Sequence, residues 1–480
     1  MRNFRWLFLL PLACGFSPPA LADGSLALSP CHIPGLQAES FCGSITVLED
    51  RSAQSGRTIE LDILVVPAIS ANPEPDPLFF LAGGPGQAAR EVAAQILPAL
   101  RTVQESRDLV FVDQRGTGAE NVLNCDLGNE DPLDSLSEDL PLDEIAACLD
   151  GLEADPLLYT TPVAMDDLDD VRTALGVDKI NLYGVSYGTR ASLVYLRRHP
   201  DRVRSMVLDG VAPTTMAVGA DSPVDAQAAL DALIADCQAD EHCRSAFPEQ
   251  QAELDALIAA TVEPIPIRIP HPRTGSLTDV SLGQDALTGG IRGILYSPAL
   301  ASLLPLAIHT AHEGNYGPLV TQMTGFSDGI TNTISFGMML SVLCAEDVPR
   351  YTEADFQRAR ETFVGDVGLE SMAEACAIWP AATMPPDYFQ PVSSDVPVLI
   401  LSGAIDPVTP PRWGDAAAEH LSNSRHVVVD GLGHNVAPYG CLPKLLGEFV
   451  ETVDAAALDV SCTERIERPP FFLDTAGTAP

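Results

Sequence analysis

The sequence predicts an α/β fold: a mostly parallel sheet with helices on both faces, interrupted by an inserted and mainly helical cap. Three observations carry this. Apolar, strand-like runs alternate with helical spacing over residues 58–210, the alternation is lost beyond Pro213, and it resumes over residues 397–453. A length of 480 residues, 46% hydrophobic and 19% charged, supports a large buried core and excludes a disordered, collagen-like or coiled-coil chain.

Residues 1–22 read as a secretory leader. Arg2 and Arg5 precede an apolar run, and Ala20-Leu21-Ala22 offers a small-x-small cleavage site before Asp23. A competing reading makes Cys14 a lipidation site, but Pro11 and Leu12 fit that pattern badly. Strands are expected at 58–67 (TIELDILVVP) and 77–81 (PLFFL), on either side of the turn ANPEPDP, with a glycine-rich loop directly after. Helical spacing covers 88–103, a strand follows at 108–113 (DLVFVD), and residues 126–155 form an acidic excursion between and around Cys125 and Cys148.

Helix 165–175, strand 179–183 (KINLY), helix 189–198 and strand 205–210 (SMVLDG) complete a βαβαβ series. Beyond it, helical segments at 224–238, 249–261, 299–311 and 353–363 are separated by Pro-rich chain. Strands return at 397–403 (PVLILSG) and 426–430 (HVVVD), with helices near 413–421 and 442–453. The expected division is a leader (1–22), a first core portion (23–211), a cap insertion (212–391) and a second core portion (392–480).

Acidic residues outnumber basic ones by 66 to 27, a formal charge of −39, and no basic stripe occurs. Phosphate binding needs clustered Lys and Arg, so the balance argues against nucleic acid and anionic membrane as partners. The leader's apolar run is shorter than the about 20 residues of a membrane span, and no later segment comes closer. Of 11 cysteines one lies in the leader, and an even number behind a leader implies disulfides in an oxidising compartment. Their connectivity stays open, although successive neighbours would each close a short loop. No C-x-x-C spacing suggests a zinc or redox site, and oligomeric state is not readable from the pattern.

Gly184-Val185-Ser186-Tyr187-Gly188 lies between an apolar strand and a helix, the context of a nucleophile elbow. The pentapeptide alone is a weak signal, and its context sharpens it. A serine hydroxyl needs a base within reach and a third group to orient that base. Asp406, in SGAIDPVTPP, and His434, in DGLGHN, each follow an apolar strand, and the order Ser, Asp, His suits such a sheet. Asp209, ending SMVLDG, is a rival acid and is read as structural. The developing oxyanion needs fixed backbone donors, and Gly84 in LAGGPG with Tyr187 would supply them. A phosphate loop is the alternative for the glycines, but G-x-x-x-x-G-K is absent. His309 and His312, beside Glu313, lack a third ligand in view, so neither metal nor cofactor is expected.

Together AGGPGQ, VFVDQRGTG, NLYGVSYGTR, YLRRHPDRVRSMVLDGVAP, LCAEDVP, LSGAIDPVTPPRWG and DGLGHN resemble secreted α/β-hydrolases of the prolyl and tripeptidyl aminopeptidase family, with a TAP-like carboxyl-terminal segment. The resemblance covers essentially the whole chain after the leader and is weakest in the middle of the cap. It implies an α/β-hydrolase fold and a serine exopeptidase acting at a peptide's free amino terminus. It also supports Ser186, Asp406 and His434 as the triad, with Gly84 and Tyr187 as oxyanion donors. Ala82 stands where many single-residue prolyl enzymes have His, which turns the resemblance toward the tripeptidyl branch.

An aminopeptidase must hold an ammonium group. Adjacent carboxylates Glu346 and Asp347 in the overhanging cap are the expected substrate-binding residues, with a helix cap or a salt bridge to Arg350 or Arg358 as the alternative. The expected function is therefore a secreted or periplasmic, cofactor-free serine aminopeptidase taking peptides with a free amino terminus. A carboxylesterase on the same triad is the second reading, and a non-catalytic binding module the third.

Overall fold

A computed structural model describes residues 26–118, 123–125, 131–136, 140–331 and 333–478. The leader, its cleavage after Ala22 and Cys14 lie outside the described residues, as do positions 126–130 and 137–139 of the acidic excursion. Strands β1 (Ser29–Pro30), β2 (Phe41–Leu48), β3 (Thr58–Val66), β4 (Leu78–Leu81), β5 (Leu109–Val112), β6 (Ile180–Val185) and β7 (Val203–Asp209) come first. A hairpin of β8 (Ile265–Pro270) and β9 (Leu277–Leu282) follows, then β10 (Val398–Gly403) and β11 (Ser424–Val429). Nine of these form one sheet in the order β1-β2-β3-β5-β4-β6-β7-β10-β11. From β5 to β11 every pairing is parallel, and the first three pairings are antiparallel.

Every residue of β4, β5, β6 and β10 is buried, as helices on both faces require. The period of two divides them. Val398 and Ile400 enter one apolar core with Phe79, Leu182 and Leu208, while Leu399 and Leu401 enter the other with Phe80, Tyr183 and Val207. The helices Thr161–Ala174 and Tyr187–Arg198 cover the first face, and Ala93–Gln104 and Leu442–Thr452 cover the second.

The two strands expected on either side of ANPEPDP are present, and β5 lies between them in the sheet. The apolar LFFL of β4 pairs in parallel with β5 and β6, so the Pro-rich segment crosses to a position inside the sheet instead of closing a hairpin. Residues 265–282, read as Pro-rich chain among helices, instead form β8 and β9. Pro266 and Pro270 are tolerated there because a two-stranded ribbon has a free edge on either side.

The helices from Ser222–Ala239 to Val367–Ile378 add no strand to the main sheet. They bury a separate apolar core that includes Leu230, Leu233, Phe247, Ile291, Leu304 and Ile308. They also meet the carboxyl edge of the sheet: Ser335 N–H donates to Gly86 O at 2.9 Å, and His434 N–H to Tyr296 O at 3.1 Å. The ten cysteines of the described residues pair off in sequence order, giving Cys31–Cys42, Cys125–Cys148, Cys237–Cys243, Cys344–Cys376 and Cys441–Cys462. Five such bonds suit an oxidising compartment. Among the described residues no helix is long and apolar enough to cross a membrane.

The turn from β6 into its helix decides where Ser186 stands. Ser186 adopts φ 56° and ψ −124°, a conformation that side chains rarely take and that the surrounding packing must hold. A Cβ on Gly184 would lie 2.3 Å from Gly188 O, and one on Gly188 would lie 2.1 Å from Leu81 O. Both contacts are with backbone and cannot yield by a rotamer change. Gly184→Ala and Gly188→Ala are each expected to lower stability by about 1–3 kcal/mol, read as a shift in the urea midpoint. A variant unfolding with wild type would show that the turn has slack.

Candidate active site

β6, β7, β10 and β11 run parallel, so the chain leaves each of them at the same edge of the sheet. Ser186 follows β6 directly, Asp406 follows β10 by three residues and His434 follows β11 by five. The fold thus brings three side chains from distant chain positions to one rim, where open α/β sheets meet ligands.

Asp406 is buried and accepts four hydrogen bonds. Val408 N–H and Thr409 N–H donate to Oδ1 at 2.8 and 2.9 Å, and Thr409 Oγ1 and His434 Nδ1 reach Oδ2 at 2.9 and 2.8 Å. Thr409 Oγ1 also stands 3.1 Å from His434 Nδ1. The Nδ1 proton is therefore held by Asp406, and Nε2 is left as the basic nitrogen. Burial works against ionising either partner, but each charge favours the other more strongly. The Asp406 carboxyl is held below its ordinary range and the His434 imidazole above its own. Tyr296 steadies the ring from outside, edge-on, with centroids 5.2 Å apart.

Asp209 lies between the elbow and the histidine loop. Its carbonyl accepts from Ser186 N–H at 2.9 Å, while its carboxylate accepts from Val436 N–H at 2.8 Å, Ala437 N–H at 2.9 Å and the Tyr183 hydroxyl at 3.2 Å. Burial pushes this carboxyl up to about 6, against the pull of the two backbone N–H groups. Asp209 thus anchors the loop just beyond His434 and makes no bond to the imidazole. Gly210 follows at φ 71°, and a Cβ there would lie 3.1 Å from His434 Cε1, so the end of β7 and the histidine loop are in close contact.

The Ser186 hydroxyl makes no hydrogen bond to a described group. Serine–histidine bonds are often loose without substrate and tighten on binding. Gly84 has φ 105°, and a Cβ on it would meet Gly86 N at 2.8 Å. Neither Gly84 N–H nor Tyr187 N–H is used by another described group. A Cβ on Gly83 would lie 3.3 Å from Ser186 Cβ, so the glycine loop passes directly beside the serine.

Glu346 and Asp347, the expected substrate-binding carboxylates, stand beneath the elbow helix. Both are fully buried with partners inside the protein. Asp347 takes Arg190 Nη1 on both oxygens at 2.9 Å and Val218 N–H at 2.7 Å. Glu346 takes Thr161 N–H at 2.7 Å, Thr161 Oγ1 at 2.9 Å and the Tyr388 hydroxyl. Thr161 Oγ1 also bonds the Tyr187 hydroxyl at 2.7 Å, so the carboxylates brace the elbow helix from beneath. Burial pushes the Glu346 carboxyl up to about 7, partly countered by Arg190.

His309 bonds Glu253 at 2.8 Å, and among the described residues no three potential ligands are grouped as a metal site requires. Thr409 and Tyr296 escaped the sequence reading. Thr409 has a faint signal, an Asx-type turn begun by Asp406, whereas Tyr296 belongs to a distant helix end and has none.

Removing the Asp209 side chain leaves two buried N–H groups without partners. Asp209→Ala is therefore expected to cost about 2–5 kcal/mol of stability in urea unfolding and to slow turnover through a displaced His434. Unchanged stability would show that water replaces the carboxylate.

Comparison with known proteins gives a consistent result. A family described as "alpha/beta hydrolase fold" matches residues 76–237, and one described as "TAP-like protein" matches residues 361–462. Serine protease Hip1 of Mycobacterium tuberculosis is 29% identical over 460 residues, covering 86% of this chain and 85% of its own. Tripeptidyl aminopeptidase of Streptomyces lividans is 30% identical over 187 residues, covering 35% of each chain. Proline iminopeptidase of Neisseria gonorrhoeae is 29% identical over 143 residues, covering 30% of this chain and 34% of its own. The elbow falls within the first matching family and the Asp406–His434 pair within the second, and these relatives are peptidases by name, so the comparisons support a serine peptidase of the α/β-hydrolase superfamily.

Proposed function

We propose that the protein is a serine aminopeptidase, secreted or periplasmic, that releases a short peptide from a free amino terminus through an acyl-enzyme on Ser186. His434 Nε2 takes the Ser186 proton as Oγ bonds to the scissile carbonyl carbon, and the oxygen becomes an oxyanion facing Gly84 N–H and Tyr187 N–H. Each such donor contributes about 3–4 kcal/mol. Collapse breaks the C–N bond while His434 returns the proton to the leaving amine. Water, deprotonated by His434, then attacks the acyl carbon, and Ser186 Oγ leaves with that proton. Asp406 holds the imidazole tautomer throughout, and Thr409 holds Asp406. In this reading 23–211 and 392–480 are the catalytic core, 212–391 is the cap, and 1–22 is removed on export.

The observation that carries the aminopeptidase reading is a cavity of about 530 Å³ among the cap helices, one wall of which is Tyr296, the residue lying against His434. A space of that size admits a few residues and no folded chain. The names of the partial relatives, tripeptidyl aminopeptidase and proline iminopeptidase, point the same way.

The test is hydrolysis of matched fluorogenic substrates: a free-amine tripeptide amide, its N-acetylated twin, single-residue Pro and Ala amides, and a butyrate ester. Cleavage of free-amine peptides, lost in Ser186→Ala, is expected. Turnover of the ester with every amide untouched would overturn the peptidase assignment and leave an esterase.

The pH profile adds a second test. His434 must be neutral to accept the proton, and the Asp406 charge raises its titration. The acid limb of kcat/KM is therefore expected to have its midpoint above about 6.5. Asp406→Asn is expected to move that midpoint down and to cut kcat on the order of 10⁴-fold. A midpoint unmoved by the substitution would remove Asp406 from the triad.

A further inference from the structure

Tyr187 joins the nucleophile to a buried row of hydrogen bonds that the acyl-enzyme steps leave unused. It is the first residue of the helix Tyr187–Arg198, so its N–H has no acceptor within the helix. Its phenol runs into the protein interior, and only 3% of the residue is exposed. Among the described residues its hydroxyl has one hydrogen-bond partner, Thr161 Oγ1 at 2.7 Å.

Thr161 opens the helix Thr161–Ala174, and both of its donors go to one carboxylate. Its N–H meets Glu346 Oε1 at 2.7 Å and its Oγ1 meets Oε2 at 2.9 Å, where the Tyr388 hydroxyl also donates. Thr161 and Glu346 have no exposed surface. Burial pushes the Glu346 carboxyl up to about 7, against the pull of Arg190, whose Nη1 lies 4.0 Å from Oε2, and of the Tyr388 hydrogen bond. Asp347 adds to the push, and Tyr187 is the other titratable group whose charge Glu346 affects.

The directions of these bonds follow from counting protons. A hydroxyl carries one. Thr161 gives its own to Glu346, so its oxygen accepts from Tyr187, and every proton in the row is directed toward the carboxylate. A proton on Glu346 would have to be accepted by one of the two hydroxyls. Accepted by Thr161, it turns the threonine proton back toward Tyr187, whose own proton is then buried without an acceptor. Capping the helix Thr161–Ala174 requires only the bond to Thr161 N–H. The hydroxyl row is additional to that, and it ends on the residue that follows Ser186.

We propose that Glu346 is a positioning residue of the oxyanion hole: its ionised carboxylate, acting through Thr161, holds the Tyr187 side chain and thereby fixes the Tyr187 N–H where the oxyanion forms. This rests on the reading of Tyr187 N–H as an oxyanion donor and holds for a peptide or an ester substrate alike. Glu346 then acts on turnover without touching the substrate.

The test measures kcat and KM at alkaline pH on whichever fluorogenic amide or ester wild type cleaves, with enzyme counted by the Ser186 that an organofluorophosphate labels, so that unfolded protein drops out. Inhibition by the matching trifluoromethyl ketone is measured beside it. Ser186 Oγ bonds to the ketone carbon, the hydroxyl proton passes to His434, and the ketone oxygen becomes the oxyanion. Tyr187→Phe, which removes only the hydroxyl, and Glu346→Gln are each expected to lower kcat roughly ten- to hundredfold, to leave KM nearly unchanged, and to weaken the ketone by the same factor. The double variant is expected to be no slower than the slower single one. Thr161→Ser should keep most of the rate and Thr161→Val should lose it. Below about pH 7 the kcat of wild type should fall more steeply than that of Tyr187→Phe, in which only His434 still governs the acid limb. An unchanged kcat in Tyr187→Phe, losses that multiply in the double variant, or parallel acid limbs would each overturn the proposal and leave the serine mechanism standing. Turnover surviving Ser186→Ala would instead overturn that mechanism, and this proposal with it.

Discussion

A charge sealed inside the protein holds the two halves of the mechanism together. Arg190 sits in the elbow helix with none of its surface exposed, and such a guanidinium is tolerable only if the protein itself replaces its water. Asp347 does so on one side, and Met216 O at 2.8 Å does so on another. Residues 213–218 leave the core toward the cap, and Asp347 ends the cap helix Phe336–Glu346. The chain leaving β7 and the end of the helix Phe336–Glu346 are therefore both tied to the helix that follows Ser186. Removing one partner of such a pair is costly, typically about 3–5 kcal/mol, because the other charge stays buried. The helix Phe336–Glu346 is thus fixed against the elbow helix by a buried ion pair.

The rim itself depends on parallel strands. Their parallel course delivers three loops to one edge, and Asp209 fastens two of those loops to each other through its carbonyl and its carboxylate. The strained serine, the unspent N–H groups and the Asp406–His434 pair follow from that framework. Each is a local conformation that the chain would not keep without packing around it.

Much of this was legible in the sequence, for reasons that mark where reading stops. The elbow could be read because INLYGV is a mostly apolar strand and Gly184 and Gly188 stand two residues on either side of the serine, where their need is local. Strand β2, with half its residues facing outward, lacked that signal, and the order β3-β5-β4 follows from pairings between distant segments. The helix Gln284–Ile294 was obscured by Gly290 and Gly293. Their lack of side chains serves packing: a Cβ would meet Met323 at 2.5 Å or Phe326 at 2.6 Å. Phe336–Glu346 is apolar all round and so has no helical period to detect. The carboxylates of LCAEDVP were recognised as unusual, but their meaning depended on Arg190, some 150 positions upstream in the chain and adjacent in space.

The nearest-neighbour pairing of the cysteines bears on how such a chain is made. A polypeptide emerging from its amino end presents Cys31 and Cys42 before any other pair, and every later bond likewise involves the two most recently delivered thiols. Oxidation in order of arrival therefore yields this set of bonds without reshuffling. The two bonds within residues 212–391 also share no cysteine with the three outside them. Residues 212–391 and the chain outside them can each be completed covalently without waiting for the other.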